Sequence, residues 1–238
     1  PGELTSPPLR QSAVGERGWR QSEAALAHWG HSGSWHVGLL LAAMFSLLSG
    51  LIEYLFKKAE FQVLILGVDA SGKTTALEQM KALFQKVTPL APEKIPPTVG
   101  LNIGRMEVGR VKLIFWDLGG QAGLRSIWEK YYSEVHGLIY VIDAADKHRF
   151  EESRAIFQAL VKHPDLFGVP ILVLANKQDL HSAASTNEID EHFGFGSLCT
   201  TNQKYRVVAV SAVSGDGIAD GIAWMVETLK RGVVRSPA

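Results

Sequence analysis

The chain has 238 residues and a formal net charge of zero, from 24 Lys+Arg against 24 Asp+Glu. Hydrophobic residues make up 46% and charged residues 20%, which excludes a wholly disordered chain and nucleic-acid binding by bulk basicity. The single cysteine, Cys199, excludes a disulfide framework and a cysteine-based metal site, and it fits a reducing compartment.

In chain order, residues 1–36 carry scattered glycines and prolines and cancelling charges (Arg10, Arg17, Arg20 against Glu3, Glu16, Glu23), with no sustained period. Val37 to Ile52 is a run of 16 uncharged residues, short of the roughly 18–20 that a membrane-spanning helix needs. Read from Met44, the chain becomes MFSLLSGLIEYLFKK. Ser46, Ser49, Gly50, Glu53 and Lys57 then share one helical face, and Phe45, Leu48, Ile52 and Leu55 line the other. This predicts an amphipathic helix over 44–59 suited to a membrane surface. It also makes Met44 the expected initiator and 1–43 a disordered upstream extension. With Phe45 second, glycine-dependent myristoylation is excluded for that start.

FQVLILG (61–67) reads as a buried strand and leads into GVDASGKT (67–74), which matches G-x-x-x-x-G-K-[ST] at every fixed position. Gly67 and Gly72 let the backbone N–H groups wrap phosphates, Lys73 supplies a point charge, and Thr74 offers a hydroxyl to Mg²⁺. A helix is expected over 73–86. PPTVGLNIG puts Thr98 on a loop before a strand (101–108), where its hydroxyl completes the Mg²⁺ shell. The strand KLIFWD (112–117) ends in Asp117, placed to hold Mg²⁺ through water. In the Gly119-Gly120-Gln121 that follows, the Gly120 N–H faces the γ-phosphate and Gln121 orients the attacking water. Arg125 reads as structural or partner-facing, so an arginine finger is expected in trans.

A helix over 124–132, a strand over 136–143 and a helix over 147–163 come next. VPILVLANKQDL (169–180) is a buried strand running into Asn176-Lys177-Gln178-Asp179. The Asp179 carboxylate can accept both guanine donors, which adenine lacks. The stem of Lys177 covers the base, and Asn176 ties this loop to the phosphate loop. After a helix over 186–192, YRVVAVSA (205–212) ends at Ser211-Ala212-Val213, where a backbone N–H meets guanine O6. A last helix over 217–231 carries Trp224 and Met225 into the core, and 232–238 reads as a frayed tail.

The strings GVDASGKTT, PPTVGLN, WDLGGQ, ANKQD and SAVSGDG resemble the ARF/ARL family of small GTPases over about 44–231. Within it, MFSLLSGL, VGLNIG and the insert KVTPLAPEKIPP resemble the ARF-related Golgi subgroup. Leu101, beside Trp116 and Tyr131, stands where many ARFs have phenylalanine. The resemblance implies a doubly wound, six-stranded, mostly parallel α/β sheet (the P-loop small-GTPase fold) with a GTPase domain over 60–231 and an N-terminal amphipathic helix. It implies slow GTP hydrolysis with Gln121 catalytic, and Mg²⁺ as cofactor through Thr74, Thr98 and Asp117. The nucleotide contacts it implies are Gly67, Asp69, Ala70, Ser71, Gly72, Lys73, Thr74, Thr75, Thr98, Gly120, Asn176, Lys177, Asp179, Ser211, Ala212 and Val213.

It further implies a monomer in the cytosol and peripherally on trans-Golgi membranes, working with an exchange factor, a GTPase-activating protein, a Golgi receptor that reads an acetylated N-terminus, and effectors. The strands near 101–115 are expected to shift between nucleotide states. A second reading is a membrane-anchored receptor subunit like the signal-recognition-particle receptor β-subunit, with 37–52 spanning. A third, an ATP-using kinase, is opposed by Asn176, Lys177 and Asp179.

Overall fold

Continuous apolar runs in the central strands dictate a sheet covered on both faces. The computed structural model describes residues 42–50, 58–199 and 203–235, with side chains to 232. Six strands, β1 (Ala59–Leu66), β2 (Leu101–Val108), β3 (Val111–Leu118), β4 (Gly137–Asp143), β5 (Ile171–Asn176) and β6 (Tyr205–Ala209), form one sheet in the order β2-β3-β1-β4-β5-β6. Only β2 runs antiparallel, against β3; the pairs β1–β3, β1–β4, β4–β5 and β5–β6 are parallel. Every residue of β5 is buried, as a parallel strand covered on both faces requires.

Side-chain alternation splits the core into two layers. Val63, Ile65, Ile139, Val141, Leu172 and Leu174 face one side. There they meet α1 (Lys73–Gln85) through Ala76, Leu77 and Met80, and α5 (Ile218–Arg235) through Ile222 and Met225. Leu64, Leu66, Leu138, Tyr140, Ile142 and Val173 face the other side with α2 (Phe150–Val161) and α3 (Thr186–Phe193). Trp224 packs partly buried on the first layer. Ser185 and Glu188 form a capping box at the start of α3, and Gly194 ends it in the left-handed region.

The boundaries depart from the sequence reading in several places. The segment expected as a helix over 124–132 is a 3₁₀ helix, Ala122–Glu134. Gly123 and Ser126 weaken its α propensity, and two side chains (Arg125 and Trp128) are tied back to the glycines preceding it. The helix expected over 147–163 begins with a 3₁₀ turn, Lys147–Arg149, before α2. A short helix α4, Phe195–Leu198, follows α3, where Phe195 stacks on Phe193 at 5.1 Å. The helix α5 runs on to Arg235, into the segment read as a frayed tail.

The chain divides into two units at Lys57 and Lys58. In the first, residues 42–50 are helical with exposed side chains, and Ser49 Oγ caps back onto the Ser46 carbonyl at 2.9 Å. Of the helix expected over 44–59, residues 51–57 lie outside the described residues, as does most of the 1–43 extension. Ala59 is already strand, so the helix cannot reach it. Among the described residues no helix is long and apolar enough to cross a membrane.

Candidate functional site

Five parallel strands end on the same edge of the sheet, so the loops after β1, β3, β4, β5 and β6 converge there. Because β1 lies between β3 and β4, the chain reverses direction of winding at β1, where doubly wound sheets open a crevice. The loop from β1 into α1 occupies it. Gly67 has φ +143, and a Cβ there would stand 2.3 Å from the Val141 carbonyl oxygen. Gly72 caps α1 at φ +92, and a Cβ on it would stand 2.2 Å from Asn176 Nδ2. Both positions admit only glycine, which explains in steric terms why the motif fixes them. Ala70 is held left-handed at φ 58.

A cavity of about 300 Å³ opens above this loop, lined by Asp69, Ala70, Gly72, Lys73, Thr74, Thr75, Ile95, Pro96, Pro97, Thr98, Gly120 and Gln121. Residues from three separate loops thus face one space. Lys73 is buried and donates to the Val68 carbonyl at 2.7 Å. Burial pushes its ammonium down to about 8, against the opposing pull of Asp117. An anionic ligand in the cavity would favour the charged form. Gln121 lies exposed at the rim.

At one end of the cavity three oxygen donors meet. Thr74 Oγ1 stands 2.6 Å from Thr98 Oγ1 and donates to Asp117 Oδ2 at 2.7 Å. Thr98 Oγ1 and Asn102 Nδ2 each lie 3.5 Å from the same carboxylate oxygen. Asp117 is fully buried, and its other oxygen, Oδ1, has no hydrogen-bond partner. Burial accordingly raises its pKa. An orphaned buried carboxylate oxygen beside two hydroxyls is a hard-oxygen donor set of the kind a small divalent cation takes. Among the described residues no cluster of three or more His, Cys, Asp or Glu offers an alternative metal site.

Asn176, Lys177 and Asp179 do not line this cavity. Asn176 Nδ2 donates to the Ser71 carbonyl at 2.8 Å, and its Oδ1 accepts from the Ala212 N–H at 2.9 Å. One buried amide thereby ties the phosphate loop, the end of β5 and the loop after β6. Asp179 Oδ1 accepts from Ser211 Oγ at 2.6 Å. Lys177 is left-handed at φ 68, and its ammonium pairs with Asp143 at 2.6 Å. The Ser211 N–H goes to the Asp216 carbonyl and the Ala212 N–H to Asn176. Of the three candidate donors for a base oxygen, the exposed Val213 is therefore the one left without a recorded protein acceptor among the described residues.

Several residues at the site escape motif reading. Asp143 holds Lys177 and caps the Ala145 N–H at 3.0 Å; its place at the end of a buried strand was the available signal. Trp128 Nε1 donates to the Gly119 carbonyl at 3.0 Å. Arg125, Arg149 and Glu152 join Asp69 in a charge network, and nothing in their spacing announces it.

The ADP-ribosylation factor family model matches residues 47–229. ADP-ribosylation factor-related protein 1 of Homo sapiens is 49% identical over 198 residues, 82% of this chain and 97% of the relative. ADP-ribosylation factor-like protein 3 of Saccharomyces cerevisiae is 41% identical over 189 residues, 79% of this chain and 95% of the relative. Among solved structures, the Arl6 BBS3 small GTPase from Trypanosoma brucei, with bound nucleotide analogue GppNp, matches with a TM-score of 0.63 and 33% identity, covering 73% of this chain and 99% of that one. With the P-loop fold and a family match that spans the GTPase domain, this chain belongs to the ADP-ribosylation factor family of small GTPases, which bind GTP and GDP and hydrolyse GTP.

Proposed function

We propose that the chain is a GTP-dependent switch that recruits effectors to trans-Golgi membranes in vesicle traffic. The observation that supports it best is the meeting of Thr98, Thr74 and Asp117 within 3.5 Å, with Gly120 packed against the phosphate loop. Two loops from different parts of the chain thus close on one cavity of about 300 Å³ above the phosphate loop, and a γ-phosphate is the ligand feature that would hold both there. Thr74, Thr98 and Asp117 are the residues that would hold Mg²⁺, which when bound would supply positive charge against the phosphates. Lys73 supplies the fixed charge, the Gly120 N–H faces the γ-phosphate, and Gln121 orients the attacking water. Asp179 reads guanine, with the Lys177 stem over the base.

Membrane attachment is assigned to the helix that includes 42–50, whose Phe45, Leu47 and Leu48 are exposed, and its location to the Golgi by resemblance to the ARF-related subgroup. The chain acts with an exchange factor, an activating protein, a Golgi receptor and effectors. The test uses the tagged full chain in cells. Gln121→Leu, which traps GTP, should accumulate on trans-Golgi membranes and leave them on alkaline carbonate extraction, while Thr74→Asn stays cytosolic. Identical distributions for the two variants would overturn the switch reading. A carbonate-resistant pellet would instead favour the integral receptor subunit.

A further inference from the structure

Two consecutive peptide groups of the Gly119–Gln121 segment are pinned from outside by side chains of the 3₁₀ helix that follows. Trp128 Nε1 donates to the Gly119 carbonyl at 3.0 Å. Because the C=O and N–H of a trans peptide point in opposite directions, that bond aims the Gly120 N–H away from Trp128. Arg125 Nε donates to the Gly120 carbonyl at 2.8 Å, which by the same geometry sets the direction of the Gln121 N–H. A Cβ on Gly120 would lie 2.5 Å from each of Asp69 N, Gly67 O and Lys73 Nζ. The segment so oriented is therefore pressed directly on the phosphate loop.

The Arg125 guanidinium is itself held. Its Nη2 donates to Glu152 Oε1 at 2.6 Å and lies 3.8 Å from Asp69 Oδ1. Arg149 closes the ring: Nε to Glu152 Oε2 at 2.9 Å, Nη2 to Asp69 Oδ1 at 2.7 Å and Nη1 to the Asp69 carbonyl at 2.9 Å. Two guanidinium groups and two carboxylates thus join the phosphate loop, the start of α2 and the Gly120 peptide. The arginines hold both carboxylates below their usual range, Arg149 most strongly. Asp69 would otherwise present an unpaired negative charge to a polyphosphate at the rim of the cavity it lines.

We propose that Arg125 is a positioning residue for GTP: clasped by Glu152, Arg149 and Asp69, it holds the Gly120–Gln121 peptide against the phosphate loop when a γ-phosphate is bound, and it is dispensable for GDP. The division of labour follows from the contacts. Arg149 grips the phosphate loop itself, which both nucleotides need. Arg125 grips Gly120, a residue that only the third phosphate would reach. The role needs a fork, since one group must meet a carbonyl through Nε and a carboxylate through Nη2 at once; a lysine ammonium offers no such fixed pair of donors.

The experiment measures dissociation of fluorescent GDP and of fluorescent GppNp, which is not hydrolysed, from the full chain in Mg²⁺. Arg125→Ala should release GppNp on the order of tenfold faster, the loss of one charge-assisted hydrogen bond, with GDP release within about twofold of the parent. Arg125→Lys should behave like alanine. Arg125→Met, which keeps the apolar stem and removes the guanidinium while leaving Glu152 with Arg149, should give the same split and serves if Arg125→Ala fails to fold. Equal acceleration of both nucleotides, no change in either, or full rescue by lysine would each overturn the proposal, because a purely structural or purely electrostatic role predicts those outcomes.

Discussion

Replacing Asn176 with alanine tests whether one buried amide joins the base-reading loops to the phosphate loop. The side chain is 2% exposed and completes two hydrogen bonds to backbone, the Ser71 carbonyl at 2.8 Å and the Ala212 N–H at 2.9 Å. Alanine removes both partners and leaves a buried acceptor and a buried donor. Each such group costs about 1–3 kcal/mol, so the expected loss is about 2–6 kcal/mol. The lower figure corresponds to about thirtyfold in an equilibrium constant. If the two loops grip opposite ends of one nucleotide, as proposed, the loss should fall on both folding and retention. Urea unfolding of the GDP-loaded chain and the rate of fluorescent GDP release would measure the two shares. Asn176→Asp sharpens the reading: it still accepts from Ala212 but turns a carboxylate oxygen toward the Ser71 carbonyl. It should lose at least as much as alanine. An alanine variant within about 0.5 kcal/mol of the parent, as an ordinary surface change would be, and with unchanged GDP release, would refute the coupling.

Gly72→Ala should abolish nucleotide binding as measured by equilibrium dialysis, since the new methyl would stand 2.2 Å from Asn176 Nδ2 at a φ of +92; retained binding would show that the loop can move aside. Tyr140→Phe removes a buried hydroxyl that meets the Ser153 carbonyl at 2.8 Å and Ser153 Oγ at 3.0 Å. It should cost about 1–2 kcal/mol in urea unfolding and leave the GDP release rate unchanged, because these contacts lie within the core. Lys73, held at about 8 in the nucleotide-free protein, should take up a proton on binding. Above that value the free protein has lost the proton and the complex keeps it. Affinity should then fall by up to about tenfold per pH unit above pH 8, with matching proton uptake in calorimetry across buffers of different ionisation enthalpy. An affinity flat from pH 7 to 9.5 would contradict this.

The sheet was legible because its strands are short apolar runs and each ends in a chemistry-bearing string. Phe61 to Gly67, Lys112 to Asp117 and Val169 to Asn176 carry both signals, so element type and strand polarity followed together. What periodicity could not separate was the 3₁₀ helix Ala122–Glu134 from an α-helix. The apolar spacing of Ile127, Trp128 and Tyr131 suits either, and the choice is made by bonds to Gly119 and Gly120 outside the segment. The end of α5 was missed for the opposite reason. Gly232 and the β-branched Val233 and Val234 have low helix propensity, and the helix runs through them regardless.

The same distinction governs the site. Residues that bind a ligand through a loop's backbone are constrained by neighbours in sequence, so Gly67, Gly72, Lys73 and Thr74 form a readable string. Asn176 was readable too, because its loop ends a buried strand and its partner Ser71 lies in a second recognisable string. Asp69, Arg125, Arg149 and Glu152 obey no such rule. Asp69 and Arg149 are 80 residues apart, and Arg125 and Glu152 are 27 apart. Charges at those separations meet only because β1, β3 and β4 bring their following loops to one edge. A charged residue is individually replaceable on an exposed surface, where an ion pair is worth little. Arg125 differs because its guanidinium also bonds the Gly120 carbonyl, converting an ion pair into a constraint on backbone direction. Positioning residues of this kind are therefore found from the carbonyl outward, by asking what fixes each peptide that faces the ligand.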